Sequence, residues 1–519
     1  MAVLTREAAS ARGDELALAD DDDTRTWAQL DIRVNRLVHA LRDAGLGPGD
    51  TISVVAGNRN EWFEVALACS HAGVVFVPVS WHLVAPELAY IIEDSGSRAV
   101  LVGHRFTDVA AEALADPRSS AVELAVAIGA PDDTRFADFE AFLGSGSDAE
   151  PKDQAFGGPM FYTSGTTGHP KGVRSSLSSP EPGTPPEVWQ LVASGFTDLM
   201  TLPGTAVLCG PFYHSAQWAF SFLPMVGGSA VVMQHRYDSA GVLDLIDTHG
   251  GTSIHLVPTQ MKRLLELDDE SRAAFDGSSL EVVIHGAAPC PPVVKRGLID
   301  WWGPKIVEYY GSTEGSIITM IDSTEWLERG GSVGRPMPNM EVLVVDDDGE
   351  PRATGEEGTL YFRNSMGTDF EYHNAPEKTA EAHLAPGVFT TGDVGYLDDD
   401  GYLWLSDRKI DMIISGGVNV YPAEIEGVIG GHPDVLDVAV IGIPDEKWGE
   451  AVHAVVVLSP GKTVSEKEII AHTRAYITGY KLSKSVAFRQ QPLPLSGAMK
   501  VLKRELRAPY REQRDKKIG

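Results

Sequence analysis

Apolar and polar positions follow two different periods over the first hundred residues. Leu30, Val34, Leu37 and Leu41 recur at helical spacing and predict a helix that stops at Gly45 and the Gly47-Pro48-Gly49 breaker. Thr51–Ala56 is then a short β-rich run, Glu61–His71 is helical again, and Val74–Val79 reads as a second strand. Alternation of this kind predicts an α/β layout with parallel strands, because helices must cross over between them. The acidic run Asp20–Asp23 lies between two strand-like pieces and predicts a solvated turn. Ser175–Pro186, rich in Ser, Pro and Gly, predicts a surface loop. Past Leu405 the texture changes. An Asp407-Arg408-Lys409 cluster precedes an apolar strand, a glycine pair, and a helix opened by Pro422. Val435–Ile443 and Ala451–Leu458 read as strands, and Ser465 with Glu468 forms a capping box ahead of Ile469. A boundary near 408–411 divides the chain into a large domain, 1–409, and a small one, 410–519.

Composition narrows the setting. A chain of 519 residues exceeds what one core sustains, in keeping with two domains. Asp and Glu number 73 against 43 Lys and Arg, a formal charge of −30. Such a surface repels nucleic acid and anionic membranes, and any anionic ligand needs cations placed locally. The three cysteines, Cys69, Cys209 and Cys290, are far apart with no CxxC, which fits a reducing compartment without disulfides or zinc. Met1–Arg12 lacks the apolar core of a signal peptide, and polar residues, glycine or proline interrupt the long apolar stretches. The expectation is a cytoplasmic protein with no transmembrane segment and no nucleic-acid partner.

The chemistry is concentrated in a few strings. Thr163-Ser164-Gly165-Thr166-Thr167-Gly168 followed by Lys171 gathers hydroxyls, glycines and one cation after an apolar run. Glycines let backbone N–H groups approach a polyphosphate, hydroxyls donate to its oxygens, and lysine adds charge. The spacing is not that of a Walker A loop. Tyr309-Tyr310-Gly311-Ser312-Thr313-Glu314 joins an aromatic face suited to a purine with a carboxylate suited to a hard dication. Asp393, in Thr391-Gly392-Asp393, offers two acceptor oxygens to a diol.

In this order, together with Pro211–Ser215, His285–Pro289, Ser415–Glu426 and Pro494–Leu506, the strings resemble the blocks of the adenylate-forming superfamily, and the resemblance covers nearly the whole chain. That superfamily includes acyl-CoA synthetases, adenylation domains of peptide synthetases, and luciferases. The resemblance implies a large domain of α/β subdomains with a β-barrel-like part, and a small mobile α+β domain carrying the catalytic lysine. It implies binding of ATP by Thr163, Ser164, Gly165, Thr166, Thr167, Gly168 and Lys171, with Gly286, Ala287, Ala288 and Pro289 along the adenine. Glu308, Tyr309, Tyr310, Gly311, Ser312 and Thr313 belong to the same site. Tyr310 would stack on the adenine, Gly311 leave room for the acyl group, and Thr313 meet the α-phosphate. Glu314, with Thr163, would hold Mg²⁺. Asp393 and Arg408 would contact the ribose, and His214 would line or gate the acyl pocket. Tyr213 stands where peptide-synthetase domains carry an Asp for the substrate ammonium, which argues against an α-amino acid.

Two further blocks divide the reaction. Lys500 matches the lysine that serves adenylation, although Met499 stands where relatives have Gly. Gly416 and Gly417 match the loop that lets the pantetheine arm of CoA pass in the second step, and Lys481 falls near the CoA nucleotide. Rotation about a hinge at 408–411 would exchange the two, with Ile410 replacing the charged residue common there. The implied reaction is activation of a carboxylic acid as acyl-AMP, then transfer to CoA. An amide synthetase or a ligase loading a carrier protein shares every ATP motif, and a non-catalytic nucleotide sensor would lack the full set. A monomer or a homodimer is expected. Trp218, Phe220 and Phe222 follow His214 at alternating spacing and could line the acyl pocket or fill a core.

Overall fold

The periodicities become elements close to where the sequence places them. The computed structural model describes residues 3–129, 133–163, 170–175, 183–346, 348–408, 411, 413–415, 418–420, 422–445, 449–474, 476–477, 481–495 and 501–515. The first amphipathic run forms the helix Trp27–Asp43. Thr26 caps it by accepting from the Gln29 N–H, while the Gln29 side chain returns to the Thr26 N–H. Strand Thr51–Val55, helix Asn60–Ala72 and strand Val75–Pro78 follow, the helix stopped by Gly73 in the left-handed conformation at φ 74°.

Among the described residues the strands form five sheets. One carries parallel strands Val75–Pro78, Thr51–Val55, Ser97–Gly103, Leu124–Ile128 and Ala137–Asp138. The largest has nine strands. Thr205–Leu208, Ala230–Met233, Ser253–Leu256, Val282–His285 and Ile306–Ser312 run parallel in its middle, and Ser316–Ile321 turns back antiparallel at one side. The N-terminal hairpin closes the other side through Leu16–Ala19, which pairs in parallel with Ala230–Met233. Helices bury Val, Leu and aromatic side chains against these sheets. A separate antiparallel sheet is built around Met340–Val345, Gly358–Asn364 and Asp393–Leu397, where the sequence led us to expect a barrel-like part. The smaller C-terminal region has its own sheet and its own cores, built on Val435–Asp445 and Gly449–Leu458. The fold is a mixed α/β architecture with a large N-terminal and a small C-terminal part.

Two expectations change on folding. The Asp20–Asp23 turn exists, but Asp20 is not solvated. Its side chain is 3% exposed, and it accepts hydrogen bonds from the N–H groups of Asn60, Asp22 and Asp23. These, with His235, hold its pKa down at about 2 against the opposing effect of burial. Trp218, Phe220 and Phe222 lie on one helix, Ser215–Val226, so their alternate spacing does not give one lining face. Trp218 and Phe222 stack on each other within the main core (5.0 Å between centroids), while Phe220 enters a different cluster with Met200 and Tyr309.

Candidate active site

The site gathers at one end of the large sheet. Strand Ile306–Ser312 breaks register between Tyr310 and Gly311 and turns into Ser316–Ile321. The break requires glycine, because a Cβ on Gly311 would lie 2.0 Å from the Ser316 carbonyl oxygen. The turn is tied internally by the Gly315 N–H donating to Ser312 Oγ (2.9 Å). Thr313 Oγ1 shares a hydrogen bond of 2.9 Å with Ser215 Oγ. Ser215 opens its helix directly after His214, so the Pro211–Ser215 block stands beside the turn. The His214 ring centroid lies 4.4 Å from that of Tyr213.

Strand alternation divides the rest of the motif. Tyr310 donates to Asp393 Oδ2 at 2.5 Å, and Thr391 donates to the same oxygen at 2.6 Å. Asp393 is paired in register with Arg408 across the adjoining hairpin. Tyr309 points the opposite way, into the interior, its ring against Gly286, where a Cβ would come within 2.6 Å of it. Ala287, next in that segment, holds a left-handed φ of 69°, a strained conformation of the kind kept at functional sites.

The phosphate-loop string begins and ends on a hairpin that pairs Thr163 with Lys171. Ser164, Gly165, Thr166, Thr167 and Gly168 lie outside the described residues. Lys171 Nζ sits 4.6 Å from the centroid of the Tyr372 ring, and burial lowers its pKa from the ordinary value. Tyr372 in turn donates to Glu314 Oε1 (3.0 Å). Lys171, Tyr372 and Glu314 thus form one chain from the hairpin to the turn, with strand Phe370–Tyr372 pairing alongside Lys171–Ser175.

Glu308 has a partner the motifs do not reveal. Its carboxylate meets Lys295 Nζ at 2.6 Å, and the Lys295 side chain is fully buried. Burial pushes Glu308 up and Lys295 down, and each draws the other back toward its charged form. His285, at the start of the His285–Pro289 segment, is fully buried 3.7 Å from Glu308. Burial first, and Lys295 next, keep it neutral. Of the C-terminal assignments, Gly416, Gly417 and Lys500 lie outside the described residues. Lys481 is described, and its ammonium lies 2.7 Å from the Glu424 carboxylate.

Sequence reasoning passes over Tyr372 and Lys295, which sit in no motif string, and gives no role to Ser215 and Thr391 within theirs. Tyr372 comes to Glu314 from 58 positions away, on a strand held beside Lys171–Ser175, and only the fold contains that information.

The cradle fits a nucleotide and a divalent cation. An aromatic face and an oriented carboxylate stand together at Tyr310 and Asp393, whereas the space a Cβ on Gly311 would occupy is filled by the Ser316 backbone, so this glycine serves the turn and leaves no room there for an acyl group. Glu314 is fixed by one oxygen, while its second oxygen takes no hydrogen bond among the described residues and could ligate Mg²⁺. Fold and site together suit an enzyme that binds a nucleotide and a divalent cation on a mixed α/β scaffold.

Residues 5–368 match the AMP-binding enzyme family and residues 424–500 match the AMP-binding enzyme C-terminal domain, so the chain belongs to this adenylate-forming family. It is 34% identical to a feruloyl-CoA synthase from an Amycolatopsis species, over 93% of this chain and 94% of that protein. It is also 34% identical to a long-chain-fatty-acid–CoA ligase of Mycobacterium tuberculosis, over 93% of both. Among solved structures, a mutant amide bond synthetase from Marinactinospora thermotolerans superposes with a TM-score of 0.85 at 26% identity, covering 98% of this chain and 99% of that one.

Proposed function

We propose that the protein is an acid–CoA ligase: it forms acyl-AMP and pyrophosphate from a carboxylic acid and ATP, then acyl-CoA and AMP. The observation that carries this is the single turn at Gly311–Glu314. It stands next to Tyr310 on Asp393 and itself meets Ser215 through Thr313 and Tyr372 through Glu314. Two curated relatives of similar length that act on CoA support the choice of acceptor.

The carboxylate is ionised near neutral pH, so the first step needs no general base. The barrier is electrostatic, since one anion must approach the α-phosphorus of another, and positioning with charge neutralisation lowers it. Asp393 and Arg408 hold the ribose, Tyr310 the adenine, and the Thr163–Lys171 hairpin the phosphates. Thr313 donates to the α-phosphate and Lys500 supplies positive charge, while Glu314 with Thr163 would hold Mg²⁺, which would add neutralising charge there when bound. The carboxylate oxygen bonds to the α-phosphorus as the bond to pyrophosphate breaks. In the second step the CoA thiolate bonds to the acyl carbon and AMP leaves. The boundary at 409/410 lets the small domain present Lys500 in the first step and Gly416-Gly417 in the second, with Lys481 near the CoA nucleotide. Three free cysteines support a reducing, cytoplasmic setting.

Lys500→Ala tests the assignment. Acid-dependent pyrophosphate release should fall roughly a hundredfold or more, while thioester formation from supplied acyl-AMP persists. Equal loss of both half-reactions would refute it. The likeness to an amide bond synthetase supports a second reading, an amine acceptor. Under that reading acyl-AMP is consumed by amines and not by CoA.

A further inference from the structure

The helix Pro258–Leu265 is firmly held in the large part. Gln260 Oε1 accepts from the Val257 N–H (2.9 Å), its Nε2 donates to the Cys209 carbonyl oxygen (3.0 Å), and Met261 and Leu264 are buried. Lys262 lies between these two in sequence and reaches outward instead. Its ammonium donates to the Leu436 carbonyl oxygen of the small part and lies 3.4 Å from that of Val435. Burial lowers the Lys262 pKa, and Glu266 and Asp437 draw it back toward the charged form. Asp437 is itself pushed up by burial, against the Val438 N–H and then Lys262, which favour its charged form.

The acceptor is a special position on its strand. Val435 pairs with Leu458 and Asp437 with Val457, so Leu436 is one residue too many and forms a β-bulge. A bulged residue stands outside the ladder, and its carbonyl must be met from elsewhere. The Leu436 side chain joins the cluster of Leu493, Val501 and Leu506. Leu495 and Val501 pair as an isolated bridge, and Lys500 lies on the stretch of chain between them. The small part therefore meets Lys262 on the side that carries the base of the Lys500 segment.

We propose that Lys262 is a positioning residue for acid activation: it seats the small part with its Lys500 side against the large part, and so favours acyl-AMP formation over transfer from acyl-AMP. This rests on the two-step reading above, in which the small part serves the two steps from different positions. Lys262 acts on the reaction only through Lys500. A charge-assisted hydrogen bond made in one position and not the other biases their balance by about tenfold or more. The ratio of the two half-reaction rates follows that balance.

The test measures two single-turnover rates on the full-length enzyme. The first is pyrophosphate release with ATP and whichever of benzoate, cinnamate and octanoate reacts. The second is consumption of the matching acyl-AMP by CoA or, if CoA does not react, by benzylamine. Lys262→Met keeps the apolar stem and removes the donor. The ratio of the first rate to the second should fall about tenfold or more, with the second rate holding or rising. Asp437→Asn keeps an oxygen for the Val438 N–H and removes the charge that supports Lys262. It should lower the ratio about twofold in the wild type and leave it unchanged in Lys262→Met. Equal loss of both rates in Lys262→Met, or an unmoved ratio, overturns the proposal while leaving acid activation standing. If Lys262→Met does not fold, Asp437→Asn decides, and an unmoved ratio there overturns the proposal. Failure of the wild type to release pyrophosphate with any carboxylic acid overturns the parent reading and this one with it.

Discussion

Lys295 is buried in the interior, where burial opposes its charged form and two contacts favour it. Its Nζ lies 2.6 Å from Glu308 and 4.7 Å from the centroid of the Trp326 ring. A buried pair contributes little over an apolar substitute, but removing one partner strands the other. Lys295→Met should therefore cost about 3–5 kcal/mol in urea unfolding. The double change Lys295→Met with Glu308→Gln should recover a large part of it, and simple additivity of the two losses would contradict the pairing. The pair also bears on the site, since Glu308 lies two residues before Tyr310 on the same strand face. Nothing in the sequence marks Lys295 as buried. On composition alone a lysine on the helix Pro292–Trp302 belongs on its solvent face. The same holds for Asp20, which becomes buried only once the N-terminal hairpin docks against helix Asn60–Ala72.

At the scale of elements, the strand-to-strand turn at Gly311 is the joint on which the site depends. Gly311→Ala would force its methyl group against the Ser316 carbonyl, so the turn must open and displace Thr313 and Glu314. A displacement of about 1 Å in such a site costs on the order of a hundredfold in rate. We expect a loss of that size in acid-dependent pyrophosphate release, with an unfolding midpoint that shows the protein still folded. Near-normal turnover would mean that the turn does not set the geometry. Much of this architecture was readable beforehand. The helix Trp27–Asp43, the strands Thr51–Val55 and Val75–Pro78, and the long hairpin Val435–Asp445 with Gly449–Leu458 all follow from period and punctuation. The helix Ser215–Val226 was harder to read. Its apolar residues run nearly all round, because one face meets the main core and another the Tyr309 cluster, and such a helix has no clear period. The motif strings marked several of the segments that converge, whereas Tyr372 meets Glu314 through the fold alone.

The whole molecule has a pH limit set from within. His71 is fully buried, and burial lowers its pKa to about 4; His255 is lowered to about 3 by the same cause, and His285 lies well below its ordinary value. Each is neutral when folded and free to protonate when unfolded. Their contribution is intact above the unfolded pKa near 6.5 and is lost as pH falls below it, down to the folded values. Thermal midpoints should therefore drop between about pH 6.5 and 4, and replacing His71 with Gln should flatten that slope. An unchanged slope would assign acid lability to other groups. At the same scale, the large and small parts touch where Lys262 donates to the Leu436 carbonyl oxygen. Whether the assembled enzyme completes both half-reactions is the central claim. The most direct test is mass spectrometry of products after incubation with ATP, Mg²⁺, CoA and a mixed panel of aliphatic, aromatic and polycyclic acids. Acyl-CoA formed together with AMP is the expected result. Acyl-AMP that accumulates beside unreacted CoA would contradict it.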